Sequence, residues 1–291
     1  MSQSTIVLKL PAAEQEAFRA RLADEPFEYR TVPHAQLSVK GEGVVATLYN
    51  SGKLVVQGAE ASHFVTRFVD ASVSPQPAKQ DTREVPTRTT VGSDECGKGD
   101  YFGPLVVVAV RLTPNMAELL SGGRIADSKT LSDSTIRTLA GALRERVPNA
   151  VAVLDPEEYN AAHSEIGNVN EILADLHAKA IRALHEPGDH VLVDRFANER
   201  LMQSRLEGLD LTLEQRPRAE SNLAVAAASV IARDEFLTAM ERLSEEFALE
   251  LPKGAGEPVD HAGREFVTLH GAEALTRVAK VHFKNTTKIT P

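Results

Sequence analysis

Four acidic residues stand where a predicted strand ends or a predicted helix begins: Asp94, Glu95, Asp194 and Glu220. The first two are adjacent and follow the strand predicted at 89–93, and the third ends the apolar strand predicted at 190–193. The fourth precedes an alanine-rich helix predicted over 221–247. Several hard oxygen ligands together are what Mg²⁺ or Mn²⁺ prefers. The spacing therefore indicates a site for divalent cations.

The neighbouring glycines bear on whether two adjacent acids can serve one ion. Successive strand residues face opposite sides of a sheet, so Asp94 and Glu95 can approach one ion only at a strand end or bend. The segment Gly97-Lys98-Gly99 supplies that bend, and its backbone N–H groups could approach a sugar or phosphate closely. A tight hairpin turn explains the same glycines equally well.

Each acid also has a plain structural interpretation. Asp194 could be a turn or helix-cap residue, and Glu220 could complement the positive end of a helix. Their combination favours a metal site, and no cysteine and histidine pattern suits zinc. With two cations, such a site hydrolyses a phosphodiester by in-line attack of water, and no covalent protein nucleophile is needed.

The composition restricts the class of protein. The 291 residues are 42% hydrophobic, enough for a sizeable core, and the single Cys96 excludes an internal disulfide, which favours a reducing, cytoplasmic location. We identify no signal peptide and no membrane-spanning run. The net charge of −9 argues against binding of nucleic acid by bulk attraction, but it allows a polyanionic substrate at a site that holds cations.

The order of predicted elements divides the chain into two domains. Residues 1–72 read as strand, helix, strand pair and helix, which describes a small α+β module. Residues 73–89 are polar and rich in proline, as linkers are. Residues 90–291 alternate strands with helices, which predicts an α/β domain whose central sheet is covered by helices.

Several segments of the larger domain resemble motifs of one enzyme family. They are SDECGKGDYFGPLVVVAV, Ala126-Asp127-Ser128-Lys129, VLVDRF, RAESNLAVAAASVIAR and AKVHFKNTTK. Together they resemble the type 2 ribonuclease H superfamily, and the Asp-Tyr-Phe-Gly-Pro extension resembles its bacterial ribonuclease HIII branch. The first 72 residues then resemble the TATA-box-binding-protein-like (TBP-like) substrate-binding domain that this branch carries.

The resemblance implies a fold, an activity and a ligand set. The fold is an RNase H-like mixed central sheet flanked by helices, preceded by the small α+β TBP-like domain. The activity is cleavage of the RNA strand of RNA/DNA hybrids, which leaves 5′-phosphate and 3′-hydroxyl ends. The catalytic metal ligands would be Asp94, Glu95, Asp194 and Glu220, holding two Mg²⁺ or Mn²⁺ ions when substrate is bound. Relatives of the HII branch use a C-terminal tyrosine to recognise a single embedded ribonucleotide, and this chain has none there.

Substrate contacts are expected at Gly97, Lys98, Gly99, Ser128, Lys129, Lys280, His282 and Lys284. The Gly-x-Gly segment resembles the one whose backbone meets 2′-hydroxyl groups, which distinguish RNA from DNA. The other residues could bind phosphate, although a solvated charged surface is the competing interpretation. We interpret Asp100 and Asp127 as capping or supporting residues and Cys96 as packing, and we assign no chemistry to the remaining histidines, His163 and His177 included.

Three hypotheses follow from the sequence. The first is a hybrid-specific nuclease that acts as a monomer. The second keeps the metal site but changes the substrate, and the third is a non-catalytic nucleic-acid-binding protein. Comparison of hybrid, RNA and DNA substrates separates the first two, and binding without divalent-dependent cleavage would favour the third.

Overall fold

The chain folds as two units, residues 1–82 and 83–291. A computed structural model describes residues 4–70, 73, 83–121 and 131–290. Each unit has its own sheet and its own hydrophobic core. Within the segment predicted as a linker, Glu84 forms an isolated β-bridge with Asn222, so this residue is attached to the second unit. The described helices include none that is long and apolar enough to cross a membrane.

The first unit is a five-stranded antiparallel sheet with two helices. In chain order its elements are β1 (Ser4–Lys9), α1 (Ala12–Leu22), β2 (Glu28–Tyr29), β3 (Ala35–Gly41), β4 (Val44–Tyr49), β5 (Lys53–Gly58) and α2 (Ala61–Phe68). The strand order is β1-β5-β4-β3-β2. The expected strand pair is a run of three strands, because Glu42 and Gly43, both at positive φ, add a second reversal. The α+β prediction is confirmed.

The second unit is an α/β domain. In chain order its elements are β6 (Thr90–Cys96), β7 (Leu105–Leu112), α3 (Pro114–Ser121), α4 (Asp133–Arg146), β8 (Asn149–Leu154), α5 (Pro156–Ile166), α6 (Val169–Arg182), β9 (Asp189–Asp194), α7 (Glu199–Arg205), β10 (Leu211–Arg216), α8 (Leu223–Glu246), α9 (Glu257–His270) and α10 (Asn285–Ile289). The strand order is β10-β9-β6-β7-β8. Pairs β10/β9 and β9/β6 are parallel, and β6/β7 and β7/β8 are antiparallel, which confirms the mixed sheet.

The central sheet separates two hydrophobic cores. Strand β7 shows the alternation: Val106, Val108 and Val110 pack toward α8 and α4, whereas Leu105 and Val107 pack toward α6. Each fully buried aliphatic side chain contributes about 1.5–3 kcal/mol relative to exposure. Because both faces of the sheet are covered, its inner strands read as continuous apolar runs, which is how the sequence predicted them.

Close packing of α8 on β6 depends on small residues. A Cβ atom at Gly92 would lie 2.3 Å from the backbone nitrogen of Val225 and 2.4 Å from the carbonyl carbon of Ala224. Neither distance is possible for a real side chain, so the glycine allows the backbones of strand and helix to touch. Strand β6 is thereby fixed against the first turn of α8, and the residues at its end are fixed with it.

Candidate active site at the ends of strands β6 and β9

The two adjacent acids both lie within strand β6. The strand continues to Cys96, three residues beyond its predicted end at Ser93, and Asp94 and Glu95 pair with Val108 and Val107 of β7. Their side chains therefore leave on opposite faces of the sheet. The sharp turn begins only at Gly97, which has φ +91° and where a Cβ atom would lie 2.1 Å from the carbonyl oxygen of Pro104.

Asp94 faces helix α8, where it accepts a hydrogen bond from the hydroxyl of Ser229 and another from the backbone N–H of Glu95. Burial, followed by the negative charge of Glu95, raises the pKa of Asp94 to about 7, and the charge of Asp194 acts in the same direction. The two hydrogen bonds oppose this rise without cancelling it. Asp94 thus lies where a nearby cation would be strongly stabilising.

Asp194 lies beside Asp94 at the end of the neighbouring parallel strand. The last paired residues of β6 and β9 are Ser93 and Val193, so the two acids follow at equivalent positions. Leu192 packs with Val225 on the α8 face, and the alternation of β9 places Asp194 on that same face. Its carboxylate Oδ1 accepts a 3.1 Å hydrogen bond from the backbone N–H of Ala219.

Glu220 is connected to the site through that hydrogen bond. It lies in a 3₁₀ turn, Ala219–Ser221, and precedes the N-cap of α8, Asn222, whose side chain accepts from the N–H of Ala224. The turn is fixed further where the N–H of Glu84 donates to the carbonyl of Ser221. Glu220 therefore lies outside α8, next to a residue that contacts Asp194.

Glu95 faces helix α6 and has basic neighbours. One carboxylate oxygen is 3.4 Å from Nε2 of His177, and the other is 3.9 Å from Nζ of Lys98. Burial alone would raise the pKa of Glu95, but His177 and then Lys98 outweigh it, so that pKa lies below its usual range. The Lys98 ammonium also lies 5.6 Å from the ring centroid of Phe196. These contacts hold an ionised carboxylate on this face.

The two glycines of the Gly-x-Gly segment have different roles. Gly97 is required by the fold for the reasons given above, whereas Gly99 is exposed and a Cβ atom there would meet nothing within 4 Å. The expected capping role of Asp100 is seen, because its carboxylate accepts a 2.6 Å hydrogen bond from the N–H of Gly254. The loop at 97–100 is therefore anchored through Asp100, whereas Gly99 is open to solvent.

The three basic residues predicted near the C-terminus occupy different environments. Lys280 is fully buried, and its ammonium donates to the carbonyls of Phe102, Gly103 and Pro104, the nearest at 2.5 Å. Burial lowers the pKa of Lys280 to about 7, although Asp100 and Cys96 oppose this. A phosphate contact would require the ammonium to leave these carbonyls, so this placement favours a structural role.

The two other C-terminal residues are more accessible. His282 stacks on His163 with ring centroids 4.1 Å apart, and burial, then the charges of His163 and Lys280, lower the pKa of His282 to about 4. Lys284 is exposed before α10. Two further predicted contacts, Ser128 and Lys129, and the supporting residue Asp127 lie outside the described residues.

One functional candidate was missed in the sequence. His177 was assigned no chemistry, yet it lies beside Glu95. A signal was present: His177 follows Leu173 by four residues on the buried stripe of α6. A buried polar ring requires a hydrogen-bond partner, but the sequence alone does not place that partner on β6, where Ser93 lies eighty-four residues earlier along the chain.

The acids interact electrostatically, but the described side chains do not surround one metal position. In the part of the chain that the structure describes, no three His, Cys, Asp or Glu side chains are arranged so as to hold a metal ion. The repulsion that raises the pKa of Asp94 nevertheless shows that Asp94, Glu95 and Asp194 share one electrostatic environment. A divalent cation fits such a donor set, because it would offset that repulsion.

Comparison with known proteins identifies the family. Residues 91–286 match the family profile described as Ribonuclease HII. Over 286 residues the chain is 36% identical to "Ribonuclease HIII" of Protochlamydia amoebophila, covering 97% of this chain and 94% of that protein. The chain belongs to the ribonuclease HIII family. It is therefore a ribonuclease H, a hydrolytic endonuclease, and the resemblance inferred from its motifs is confirmed.

Ribonuclease HIII similarity extends to solved structures and to the first unit. The chain is similar to a crystal structure of Bst-RNase HIII in complex with Mn²⁺, with TM-score 0.65, 33% identity and 98% of each chain covered. It is also similar to Aquifex aeolicus RNase H3, with TM-score 0.56, 26% identity and coverage of 96% and 100%. Residues 5–81 match a profile described as a domain of unknown function, DUF3378.

Proposed function

We propose that this ribonuclease H hydrolyses the RNA strand of RNA/DNA hybrids at a divalent-metal site formed by Asp94, Glu95, Asp194 and Glu220, leaving 5′-phosphate and 3′-hydroxyl ends. The observation that carries the proposal is the position of Asp94 and Asp194 directly after the last paired residues of the neighbouring parallel strands β6 and β9, where burial and the charges of Glu95 and Asp194 raise the pKa of Asp94. Uncompensated negative charge at a strand end is the environment in which cations bind.

Each acid has a distinct place in the proposed site. Asp94 and Asp194 present carboxylates on the α8 face, Glu95 approaches from the α6 face, and Glu220 joins through the turn bonded to Asp194. When bound, two Mg²⁺ or Mn²⁺ ions would supply an activated water for attack on phosphorus and stabilise the departing oxygen. The oxygen-only ligand set favours these metals, and Mn²⁺ is present in the similar Bst-RNase HIII structure.

The open glycine turn is the proposed point of substrate recognition. Gly99 is exposed with free space beside it, so a ribose 2′-hydroxyl could approach the backbone of 97–99. Lys98 adds a positive charge beside Glu95 and can meet phosphate. Lys284 and His282 are proposed as weaker phosphate contacts, and Ser128 and Lys129 stay predictions. We leave Lys280 out of the substrate contacts because its ammonium is buried on backbone carbonyls.

The remaining proposals concern the whole chain. We propose residues 1–72 as a TBP-like substrate-binding domain, 73–89 as the linker and 90–291 as the catalytic domain. We also propose a cytoplasmic monomer, supported by the single cysteine and by the separate hydrophobic core of each unit. Deletion of residues 1–75 should weaken hybrid binding more than it lowers turnover at saturating substrate, and unchanged apparent affinity would contradict this role.

A cleavage assay tests the proposed function. The wild-type chain should cut a uniform RNA/DNA hybrid with Mg²⁺ or Mn²⁺, should not cut duplex DNA, and should stop when the metal is chelated. Asp94→Asn and Asp194→Asn should each lose most of the turnover, whereas Asp210→Asn, an exposed acid in the same unit, should not. Near wild-type turnover in both site variants would overturn the proposal, and preferential cleavage of another duplex would replace the substrate.

A further inference from the structure

The ring of His177 is held by Ser93 and Phe196 in the core beside Glu95. It is fully buried on α6, and its Nδ1 lies 2.7 Å from the hydroxyl of Ser93. The ring lies nearly parallel to that of Phe196, at 12° and 5.0 Å between centroids. Ser93 is itself held, because its hydroxyl lies 3.0 Å from the carbonyl oxygen of Val108. The orientation of the imidazole is therefore set by strand β6 and by the loop after β9.

The other ring nitrogen points at the proposed metal ligand. Nε2 of His177 is 3.4 Å from Oε2 of Glu95, longer than a normal N–H···O hydrogen bond. Among the described residues this buried nitrogen has no well-aligned hydrogen-bond partner. A buried polar nitrogen left in this way costs free energy, and where Nε2 carries a hydrogen a small shift of the Glu95 carboxylate would complete the bond.

Three arrangements of protons satisfy Ser93, and in two of them Nε2 carries a hydrogen that can point at Glu95. If Ser93 donates to Nδ1, the neutral ring carries its proton on Nε2. If Ser93 donates to Val108, Nδ1 must donate to Ser93, and only a doubly protonated ring then presents a donor to the carboxylate. A leucine would fill the same apolar stripe without the cost of burying a polar ring. The polar ring is therefore explained by its two polar neighbours, Ser93 at Nδ1 and Glu95 at Nε2.

We propose that His177 is a positioning residue that orients the Glu95 carboxylate for its role in the active site. This inference rests on the proposed function of Glu95 as a metal ligand. His177 is fully buried, so it acts through Glu95 rather than by touching substrate. Lys98, 3.9 Å from the other carboxylate oxygen, restrains the same group from the solvent side. The Glu95 carboxylate therefore lies between the fixed ring of His177 in the core and the Lys98 ammonium on the solvent side.

Two near-isosteric substitutions separate positioning from packing. The amide nitrogen of Gln reaches about the place of Nε2, whereas that of Asn reaches only the place of Nδ1. His177→Asn should raise the dissociation constant for Mn²⁺, measured by calorimetry without substrate, by about 10- to 100-fold and lower kcat comparably, with little change in KM. His177→Gln should restore both to within about threefold of wild type. Equal behaviour of the two variants, following only their loss of thermal stability, would overturn the proposal.

Two further variants keep the test decisive. If either His177 variant does not fold, Ser93→Ala removes the anchor at Nδ1 with little loss of volume. It should lower kcat and Mn²⁺ affinity by about 3- to 10-fold, and unchanged values would overturn the proposal. Glu95→Gln separates the two levels of inference. An inactive Glu95→Gln beside a fully active His177→Asn contradicts only the positioning role, whereas a fully active Glu95→Gln contradicts the ligand role as well.

Discussion

The two adjacent carboxylates of strand β6 lie on opposite faces of the sheet, and their surroundings shift their pKa values in opposite directions. On the α8 face, Asp94 lies near small side chains and close backbone, with the Ser229 hydroxyl as its side-chain hydrogen-bond donor, and its pKa is raised. On the α6 face, Glu95 has His177 and Lys98 beside it, and its pKa is lowered. The groups packed around each carboxylate, rather than its residue type, decide whether basic side chains of the protein offset its negative charge.

This difference assigns unequal roles to the two acids. Asp94 accepts its hydrogen bonds from uncharged groups, the Ser229 hydroxyl and the backbone N–H of Glu95, so it gains most from an added cation, and Asp194 is positioned to share that cation. Glu95 is already balanced by basic groups, so its contribution depends more on orientation than on charge. Pairs of acids whose environments separate their pKa values commonly have separate functions in active sites.

The largest effect should come from neutralising the uncompensated acid. Asp94→Asn should lower turnover on a hybrid substrate by about 10³-fold, and Glu95→Gln by about 10²-fold, because only the former removes the charge that the α8 face leaves for a cation. Steady-state kcat at saturating Mg²⁺ measures both, with Asp210→Asn as the control. A larger loss of turnover for Glu95→Gln than for Asp94→Asn would contradict the comparison, because Glu95 would then contribute more to catalysis.

The contact that holds the α8 face together can be tested by adding one methyl group. Gly92→Ala should lower the free energy of unfolding by about 3 kcal/mol, because its Cβ would overlap backbone atoms of Val225 and Ala224. Gly141→Ala is the matched control: it is exposed on α4 with nothing within 4 Å, and it should stabilise by about 0.5–1 kcal/mol. Denaturant unfolding measures both. A Gly92→Ala chain as stable as wild type would show that β6 and α8 are not in such close contact.

Much of this architecture was predictable because it depends on local patterns. Apolar runs such as Pro104–Leu112 and the alanine-rich segment after Glu220 predict a buried strand and a closely packed helix, and both are present in the structure. Asp194 at the end of β9 followed from the same reasoning. The short turn at Glu42 and Gly43 was missed, because it lies inside a stretch that also reads as one strand.

The unpredicted features depend on partners that are distant in sequence. His177 meets Ser93 across eighty-four residues, and Lys280 meets Gly103 across one hundred and seventy-seven. From the sequence, Lys280 looked like a phosphate contact, since lysines are rarely buried, and only the chain packed over it reveals three carbonyls to bind. The faces taken by Asp94 and Glu95 likewise follow from strand pairing that extends past the strand end predicted at Ser93.

The opposite pKa shifts on the two faces also predict an effect of pH on stability. The carboxyl of Asp94 shifts from about 3.8 to about 7 on folding, so between these values the folded state binds more protons and its stability falls as pH rises. Without metal, Asp94→Asn should therefore gain about 1–3 kcal/mol over wild type between pH 4 and pH 7. The lowered pKa of Glu95 contributes to both chains and largely cancels in the difference.

Thermal unfolding of the two chains across this pH range, with metal chelated, measures the gain. Added Mg²⁺ should reduce the difference in stability between Asp94→Asn and wild type at pH 7, because a bound cation stabilises only the chain that keeps the carboxylate. A constant difference from pH 4 to pH 7 would mean that Asp94 ionises as it does in the unfolded chain. The contrast between the two faces would then rest on the lowered pKa of Glu95 alone.

The smallest effect should come from Ser229, which donates to the carboxylate of Asp94 and so favours its ionised form. Ser229→Ala removes that donor, so the pKa of Asp94 should rise further and the acid limb of the pH–rate profile should move upward by about 0.5–1 unit. Turnover should fall a few-fold near pH 7 and recover at higher pH, as expected when a proton competes with a cation for one carboxylate. Ser204→Ala, an exposed serine on α7, provides the control. A uniform loss at every pH would instead assign Ser229 to packing, and the weak compensation of the α8 face would then not depend on its hydroxyl.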